Sequence, residues 1–127
     1  MKTVVSSAEA PAAIGPYSQA IAIEQLLFCS GQLPIAAGTQ DLVAGDIRAQ
    51  ARQVLENLGS VLRAGGSSYE QVVKTTVFLT DLNDFAAMNA VYGEFFPNAF
   101  PARSTIQVAA LLKGAKVEID AIARKTS

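Results

Sequence analysis

The stretch "VVKTTVFLTDLNDFAAMNAVYGEFF", residues 72–96, changes from a strand pattern to a helix pattern within a few residues. Val72–Leu79 is rich in β-branched and aromatic side chains, which predicts a strand. Asp81 is placed as the N-cap of a helix that ends at Pro97, and Asn89 lies beside the apolar stripe of that helix. The stripe consists of Phe85, Met88, Tyr92 and Phe95 or Phe96. A strand that leads directly into such a helix predicts a helix packed on a sheet.

A longer helix pattern lies upstream, from Arg48 to Ala64, and Gly65-Gly66 stops it. Its apolar residues recur at three- and four-residue steps and are Ala51, Val54, Leu55, Leu58, Val61 and Leu62. Strand patterns surround both helices at Thr3–Ser6, Ala20–Ile23, Leu26–Ser30, Val72–Leu79, Arg103–Val108 and Lys116–Ala123. This order predicts an α+β fold, a mixed β-sheet with two helices packed on one face. Without repeats or linkers, residues 1–127 are predicted to form a single domain.

The composition indicates that another copy of the chain covers part of the surface. Half of the 127 residues are hydrophobic, 17% are charged and the mean hydropathy is +0.29, which is apolar for a small monomer. Two helices cover one face of the sheet, so the helix-free face must meet solvent or another subunit. A net charge of −1 and a pI near 5.3 provide no basic surface. We therefore expect self-association, and neither nucleic acid nor a membrane as a partner.

The chain lacks histidine and contains a single cysteine, Cys29. These absences exclude an ordinary Ser-His or Cys-His nucleophile pair, a zinc site of the usual ligand types and an intrachain disulfide. The carboxylates are dispersed, so no metal site is expected. Cys29 is expected to pack in the core as a small apolar side chain. No apolar run is long enough for a signal peptide or a membrane span, and a cytoplasmic location is the default expectation.

Two charged residues stand inside the last two strand patterns. Arg103 lies in "FPARSTIQV", residues 100–108, and Glu118 lies in "KVEIDAIA", residues 116–123. Because side chains alternate between the faces of a strand, we expect both residues on the helix-free face. On spacing alone, a cross-strand ion pair contributing under about 1 kcal/mol is favoured over a catalytic pair.

Seven segments, read together, carry a family resemblance. They are "APAAIGPYSQA" (10–20), "CSGQLP" (29–34), "QARQVLENL" (50–58), "VVKTTVFLTDLNDFAAMN" (72–89), "YGEFFP" (92–97), "FPARS" (100–104) and "KVEIDAIA" (116–123). In this order they resemble the Rid family, the YjgF-type reactive-intermediate deaminases. The resemblance extends from about Ala10 to Ala123 without a large gap. One segment alone would be weak, whereas the ordered set is highly specific.

The resemblance implies a chorismate-mutase-like fold and a homotrimer whose helix-free faces form a central barrel, with three active sites in clefts between subunits. The family hydrolyses reactive enamines and imines of small 2-amino acids, such as 2-aminoacrylate, to 2-oxo acids and ammonia without a cofactor. Arg103 matches the carboxylate-binding arginine, and a guanidinium can hold both oxygens of a 2-imino acid. Glu118 matches the carboxylate that orients the attacking water and accepts its proton. The chain is therefore interpreted as a 2-iminobutanoate/2-iminopropanoate deaminase.

Other positions match residues around the family's pocket. Tyr17 aligns with an active-site tyrosine, although a tyrosine after Gly-Pro is equally an ordinary turn anchor. Ser30 and Gly31 align with a strand-end loop that lines the pocket. Phe85 and Asn89 align with its helix wall, and for Phe85 a core role is favoured over substrate contact.

Three positions depart from the family pattern. Thr105 stands where many members carry cysteine, which keeps a backbone N–H for the substrate carboxylate but removes thiol chemistry. Ala110 and Leu112 replace residues that are commonly Arg and Pro, and this bears on rim contacts and substrate range.

Two other classes of function remain as alternatives. A metabolite-binding regulator or chaperone would use the same clefts without turnover, yet it could dispense with Glu118. An endoribonuclease or translation inhibitor would need an acid/base pair and a basic groove, and the mildly acidic chain without histidine offers neither. Having both Arg103 and Glu118 favours an enzyme.

Overall fold

The structure, a computed structural model, describes residues 1–126 and contains a six-stranded mixed sheet with two helices on one face. The strands are β1 (Thr3–Val5), β2 (Ala20–Ile23), β3 (Leu26–Gln32), β4 (Val72–Leu79), β5 (Ala102–Gln107) and β6 (Val117–Arg124). The helices are α1 (Ile47–Ala64) and α2 (Phe85–Phe95). The predicted α+β architecture is confirmed, and every strand end lies within two residues of its predicted position.

The strands follow one another in the sheet in the order β1-β2-β3-β6-β4-β5. All neighbours are antiparallel except β4 and β5, which are parallel because α2 connects them across one face. β5 is therefore an edge strand that pairs only with β4. Within residues 1–126 no helix is both long and apolar enough to cross a membrane.

α1 supplies the centre of the core, as its pattern predicts. The carboxylate of Asp46 caps the helix by accepting the backbone N–H groups of Arg48 and Ala49 at 3.1 and 3.2 Å. The helix ends at the predicted Gly65. Its stripe is completely buried and consists of Ala51, Val54, Leu55, Leu58, Val61 and Leu62. Cys29 of β3 is buried in the same cluster, which confirms its predicted core position.

Two polar side chains of α1 fix backbone segments near the end of β3 and the start of β6. The Asn57 amide donates to the carbonyls of Leu33 and Ile35 at 3.0 and 2.8 Å. The Gln50 carbonyl oxygen accepts the backbone N–H of Lys116 at 2.8 Å. These buried bonds satisfy groups that would otherwise lose their water partners, and they hold both segments in place.

α2 begins later than its pattern suggests. Asp81 accepts the N–H of Asn83 at 2.9 Å and caps a short 3₁₀ turn, and the α-helix itself starts at Phe85. Met88 and Tyr92 are buried as predicted, but Phe85 is 40% exposed. The core role favoured for Phe85 is wrong because this first helical residue lies at the rim, beyond the edge of the packed stripe.

The helix-free face leaves large apolar side chains exposed in the single chain. Strand register places them on one surface, and each is 40–60% exposed: Val4, Ile23, Leu26, Phe28 and Ile106. An apolar sheet face of this kind is the feature on which the predicted self-association rests.

Candidate active site

Arg103 lies on the helix side of the sheet. Parallel pairing places it beside Thr75 of β4, whose side chain is completely buried on that side. The guanidinium carbon of Arg103 lies 4.7 Å from the ring centroid of Tyr92 and 5.6 Å from that of Phe85, both in α2. The prediction that Arg103 shares the helix-free face with Glu118 is therefore wrong.

The error in the predicted face has a physical cause. Both faces of the sheet carry apolar side chains, so hydrophobic alternation in β5 does not determine which face is inward. The register with β4 determines it: Arg103 and Thr105 lie beside the buried Thr75 and Val77, whereas the apolar Ile106 lies on the helix-free face.

Arg103 forms one wall of a cavity of about 380 Å³, which we call the guanidinium pocket. Its lining consists of Asn89, Tyr92, Gly93, Phe100, Pro101 and Arg103. Among residues 1–126 the one salt bridge joins Arg52 to Glu94, so aromatic faces rather than a carboxylate flank Arg103. The side-chain oxygen of Asn89 is buried and has no hydrogen-bond partner in the described chain. The pocket thus presents a cation, and an unpartnered acceptor is buried in its wall.

Glu118 lies on the other face of the sheet, beside a β-bulge. Its partner in β4 is Phe78, on the helix-free side. The β3–β6 register shifts between Cys29 and Gln32, which places both Ser30 and Gly31 opposite one residue of β6. A Cβ added to Gly31 would overlap the Glu118 carboxylate. Only glycine fits there without moving Glu118.

The charge surroundings of Glu118 suit a proton acceptor. Partial burial raises the pKa of Glu118, and the nearby negative charge of Asp120 raises it further. Asp120 itself accepts the backbone N–H of Thr76 at 3.1 Å. A carboxylate with a raised pKa is a stronger base once it is ionised, as general-base catalysis requires.

Tyr17 and Ser30 belong to the same region as Glu118. The Tyr17 hydroxyl accepts the backbone N–H of Ile14 at 3.2 Å, so Tyr17 does anchor its turn. The Ser30 hydroxyl donates to the Ser18 carbonyl at 2.6 Å, which ties this turn to the bulge. Tyr17 and Gly31 line one small cavity. We call Tyr17, Ser30, Gly31 and Glu118 the bulge site.

The guanidinium pocket and the bulge site are separate within one chain. Arg103 and Glu118 are two strands apart and three residues apart along β4, or roughly 14 Å from sheet spacing alone, and they lie on opposite faces. The cross-strand ion pair between them is therefore wrong as well. In residues 1–126 no group of three or more His, Cys, Asp or Glu side chains is placed to hold a metal ion.

Sequence reasoning did not identify the roles of Tyr92, Thr75 and Phe100. The helical spacing assigned Tyr92 to the core stripe, which is correct but hides its contact with Arg103. Phe100 is 73% exposed at the guanidinium pocket. Its signal in the sequence is an aromatic residue between Pro97 and Pro101, in a loop where no core contact is needed.

Comparison with known proteins identifies the family. A family model described as Endoribonuclease L-PSP matches residues 7–125, nearly the whole chain. The chain belongs to this family, the Rid or YjgF family. The resemblance noted from the sequence is therefore confirmed.

Three relatives show how much of the chain the Rid likeness covers. Protein DfrA of Myxococcus xanthus is 52% identical over 124 residues, which cover 96% of this chain and 95% of DfrA. The goat (Capra hircus) 2-iminobutanoate/2-iminopropanoate deaminase is 49% identical, with 97% of this chain and 90% of the goat protein covered. The crystal structure of the Rid protein YyfA from Yersinia pestis superposes with a TM-score of 0.94 at 49% identity, covering 98% and 99% of the two chains.

Proposed function

We propose that this Rid protein hydrolyses the imine and enamine forms of small 2-amino acids, including 2-iminobutanoate and 2-iminopropanoate, to 2-oxo acids and ammonia. One observation carries the proposal: Arg103 has no carboxylate partner among residues 1–126 and faces a cavity, while Glu118 is a carboxylate of raised pKa. An unpaired, half-buried arginine is suited to an anionic ligand. The deaminase name of the goat relative agrees with this chemistry.

The guanidinium pocket would bind the substrate. Arg103 would donate two parallel N–H bonds to the substrate carboxylate. The backbone N–H of Thr105, two residues further along the same strand, would be another donor to it. The unpartnered oxygen of Asn89 would accept an N–H of the imine or enamine. Phe85 and Phe100 would exclude water from the apolar side chain.

The bulge site would activate water. Glu118 would accept a proton from a water molecule while the oxygen of that water bonds to the imine carbon. The C=N double bond would thereby become a C–N single bond. Return of that proton to the nitrogen and transfer of the remaining hydroxyl proton to it, as the C=O bond forms, would then break the C–N bond and release ammonia and the 2-oxo acid. Gly31 would leave room for the Glu118 carboxylate, Ser30 would tie the bulge to the Ser18 carbonyl, and the exposed Tyr17 would close the site.

A complete site would need two copies of the chain. Arg103 and Glu118 lie on opposite faces of one sheet, so one chain cannot place both against the same small substrate. The exposed apolar side chains of the helix-free face offer a surface on which another copy would pack. We propose a homotrimer with a central barrel and a site at each junction, in which one copy supplies Arg103 and its neighbour supplies Glu118.

Ammonia release from freshly generated 2-aminoacrylate tests the proposed activity. Wild-type protein is expected to accelerate it clearly over the uncatalysed rate. Arg103→Lys should raise KM about 10- to 100-fold, because losing one charge-assisted hydrogen bond costs about 1.5–3 kcal/mol. Arg52→Lys is the matched control, since Arg52 also lies near an aromatic ring, that of Phe95 at 6.0 Å, but does not line the pocket.

The outcome also separates the other classes of function. Pyruvate binding without ammonia release would replace the enzyme with a metabolite-binding regulator of the same pocket. The family model carries an endoribonuclease description, but a net charge of −1 and the lack of histidine do not favour RNA cleavage.

A further inference from the structure

We infer that Tyr92 is a positioning residue for Arg103. The Tyr92 ring supports the Arg103 guanidinium, and the Tyr92 hydroxyl, hydrogen-bonded to Thr75, holds that ring in place. This inference rests on the proposed role of Arg103 in holding the substrate carboxylate.

The contacts form a closed chain of three residues. The guanidinium carbon of Arg103 lies 4.7 Å from the Tyr92 ring centroid, nearer than the 5.6 Å to Phe85. The Tyr92 hydroxyl shares a 2.7 Å hydrogen bond with the Thr75 hydroxyl. Thr75 is the strand partner of Arg103, so the tyrosine is anchored directly beside the backbone that carries the arginine.

The two aromatic neighbours of Arg103 differ in rigidity. Tyr92 is 6% exposed, and its ring also packs against Phe96 at a centroid distance of 4.6 Å. Phe85 is 40% exposed. Tyr92 is thus the enclosed ring over which the guanidinium lies, and Phe85 is the more exposed one.

Support by an aromatic face suits an arginine that must bind an anion. A protein carboxylate beside Arg103 would occupy the N–H donors that the substrate needs, whereas stacking on a ring leaves them free. Holding the guanidinium in advance also reduces the rotamer freedom that is lost on binding. Loss of the ring should therefore weaken carboxylate binding more than it slows the chemical step.

The test compares Tyr92→Leu, Tyr92→Phe and Tyr69→Leu. Tyr69→Leu is the matched control, because Tyr69 also hydrogen-bonds through its hydroxyl, to the Leu55 carbonyl at 2.6 Å, and contacts Phe96, but it does not contact Arg103. The readouts are the pyruvate Kd by calorimetry, KM and kcat for imine hydrolysis, and Tm.

Tyr92→Leu is expected to raise the pyruvate Kd and KM by about five- to thirtyfold, the range of a partly desolvated cation–π contact, with a smaller fall in kcat. Tyr92→Phe retains the ring but loses the hydrogen bond to Thr75, so it should raise Kd and KM by only about two- to threefold. Tyr69→Leu should lower Tm while Kd and KM stay at wild-type values.

Wild-type Kd and KM in a folded Tyr92→Leu protein would overturn the inference. If that variant does not fold, Thr75→Val, which removes only the partner hydroxyl, decides instead: an unchanged Kd contradicts the anchoring role. A wild-type protein without ammonia release would reject the proposed function, yet the pyruvate Kd series would still test Tyr92. Failure of wild type to bind pyruvate would reject both.

Discussion

The guanidinium pocket and the bulge site hold their key charges in opposite ways. Arg103 is supported by side chains, since two aromatic rings of α2 flank its guanidinium. Glu118 instead depends on open space, because Gly31 has no Cβ and so leaves room for the Glu118 carboxylate. The first arrangement depends on packing between helix and sheet, and the second depends on backbone irregularity within the sheet.

Under the proposed function, neither region is a complete site. The guanidinium pocket offers a cation and an acceptor but no base, because Asn89 and the rings around it do not titrate near neutral pH. The bulge site offers a base, Glu118, beside a second carboxylate, Asp120. Two negative charges repel an anionic substrate. A 2-imino acid needs both, so the two regions complement each other across copies of the chain under the proposed assembly.

The largest expected effect separates catalysis from binding. Glu118→Gln keeps the shape of the side chain but removes its capacity to accept a proton. We expect kcat to fall by about 10²–10⁴-fold while the pyruvate Kd changes little. Steady-state kinetics and calorimetry measure the two quantities. Glu94→Gln, at the exposed salt bridge, is the control, and near-wild-type hydrolysis by Glu118→Gln would refute the role of Glu118 as base.

A smaller effect is expected from filling the space beside Glu118. Gly31→Ala adds a Cβ that overlaps the Glu118 carboxylate and so displaces it. Because displacement of a catalytic group by about 1 Å can cost 10²-fold, we expect kcat to fall by roughly 10- to 100-fold. Gly59→Ala is matched, since its Cβ would overlap the hydroxyl of Tyr69, which lines neither cavity. Both variants should lose stability; equal kcat losses in both would attribute the effect to folding alone.

The smallest expected effect is a shift in pH dependence. Burial and then the charge of Asp120 raise the pKa of Glu118, so less of the base is ionised at low pH and the acid limb of kcat/KM lies above the usual carboxylate range. Asp120→Asn removes the second cause and should move that limb to lower pH, while burial keeps it above an unperturbed glutamate. A pH–rate profile checks this, with the exposed Asp41→Asn as control. An unmoved limb would show that Asp120 does not act on the catalytic base.

Much of the fold follows from local sequence patterns. The stripe of α1, the breaks at Gly65 and Pro97 and the strand runs are each set by spacing within a few residues, and the structure retains them. The α2 helix starts later than predicted because the residues after Asp81 first form a 3₁₀ turn. An N-cap residue has the same sequence signature before a 3₁₀ turn and before an α-helix.

The candidate site was less accessible from the sequence, which named residues that the structure divides between two regions. The faces of Arg103 and Glu118 depend on which strand pairs with β5 and in what register, and this is long-range information. The bulge at Ser30 and Gly31 changes the phase of β3 without a distinctive sequence signal. Resemblance pointed to these residues, whereas alternation alone placed Arg103 on the wrong face.

The most direct test of the account mixes two chains, each impaired at a different residue, and measures hydrolysis at substrate concentrations below KM. Two chains with different tags are produced together. One carries Arg103→Lys with Glu118 intact, and the other carries Glu118→Gln with Arg103 intact. The mixed assemblies are purified through both tags. If each site takes its arginine from one copy and its glutamate from the next, every mixed trimer restores both residues in one of its three sites. We therefore predict imine hydrolysis near a third of the wild-type rate, far above either parent variant alone. Mixed assemblies that are no more active than their parents would contradict a site shared between copies.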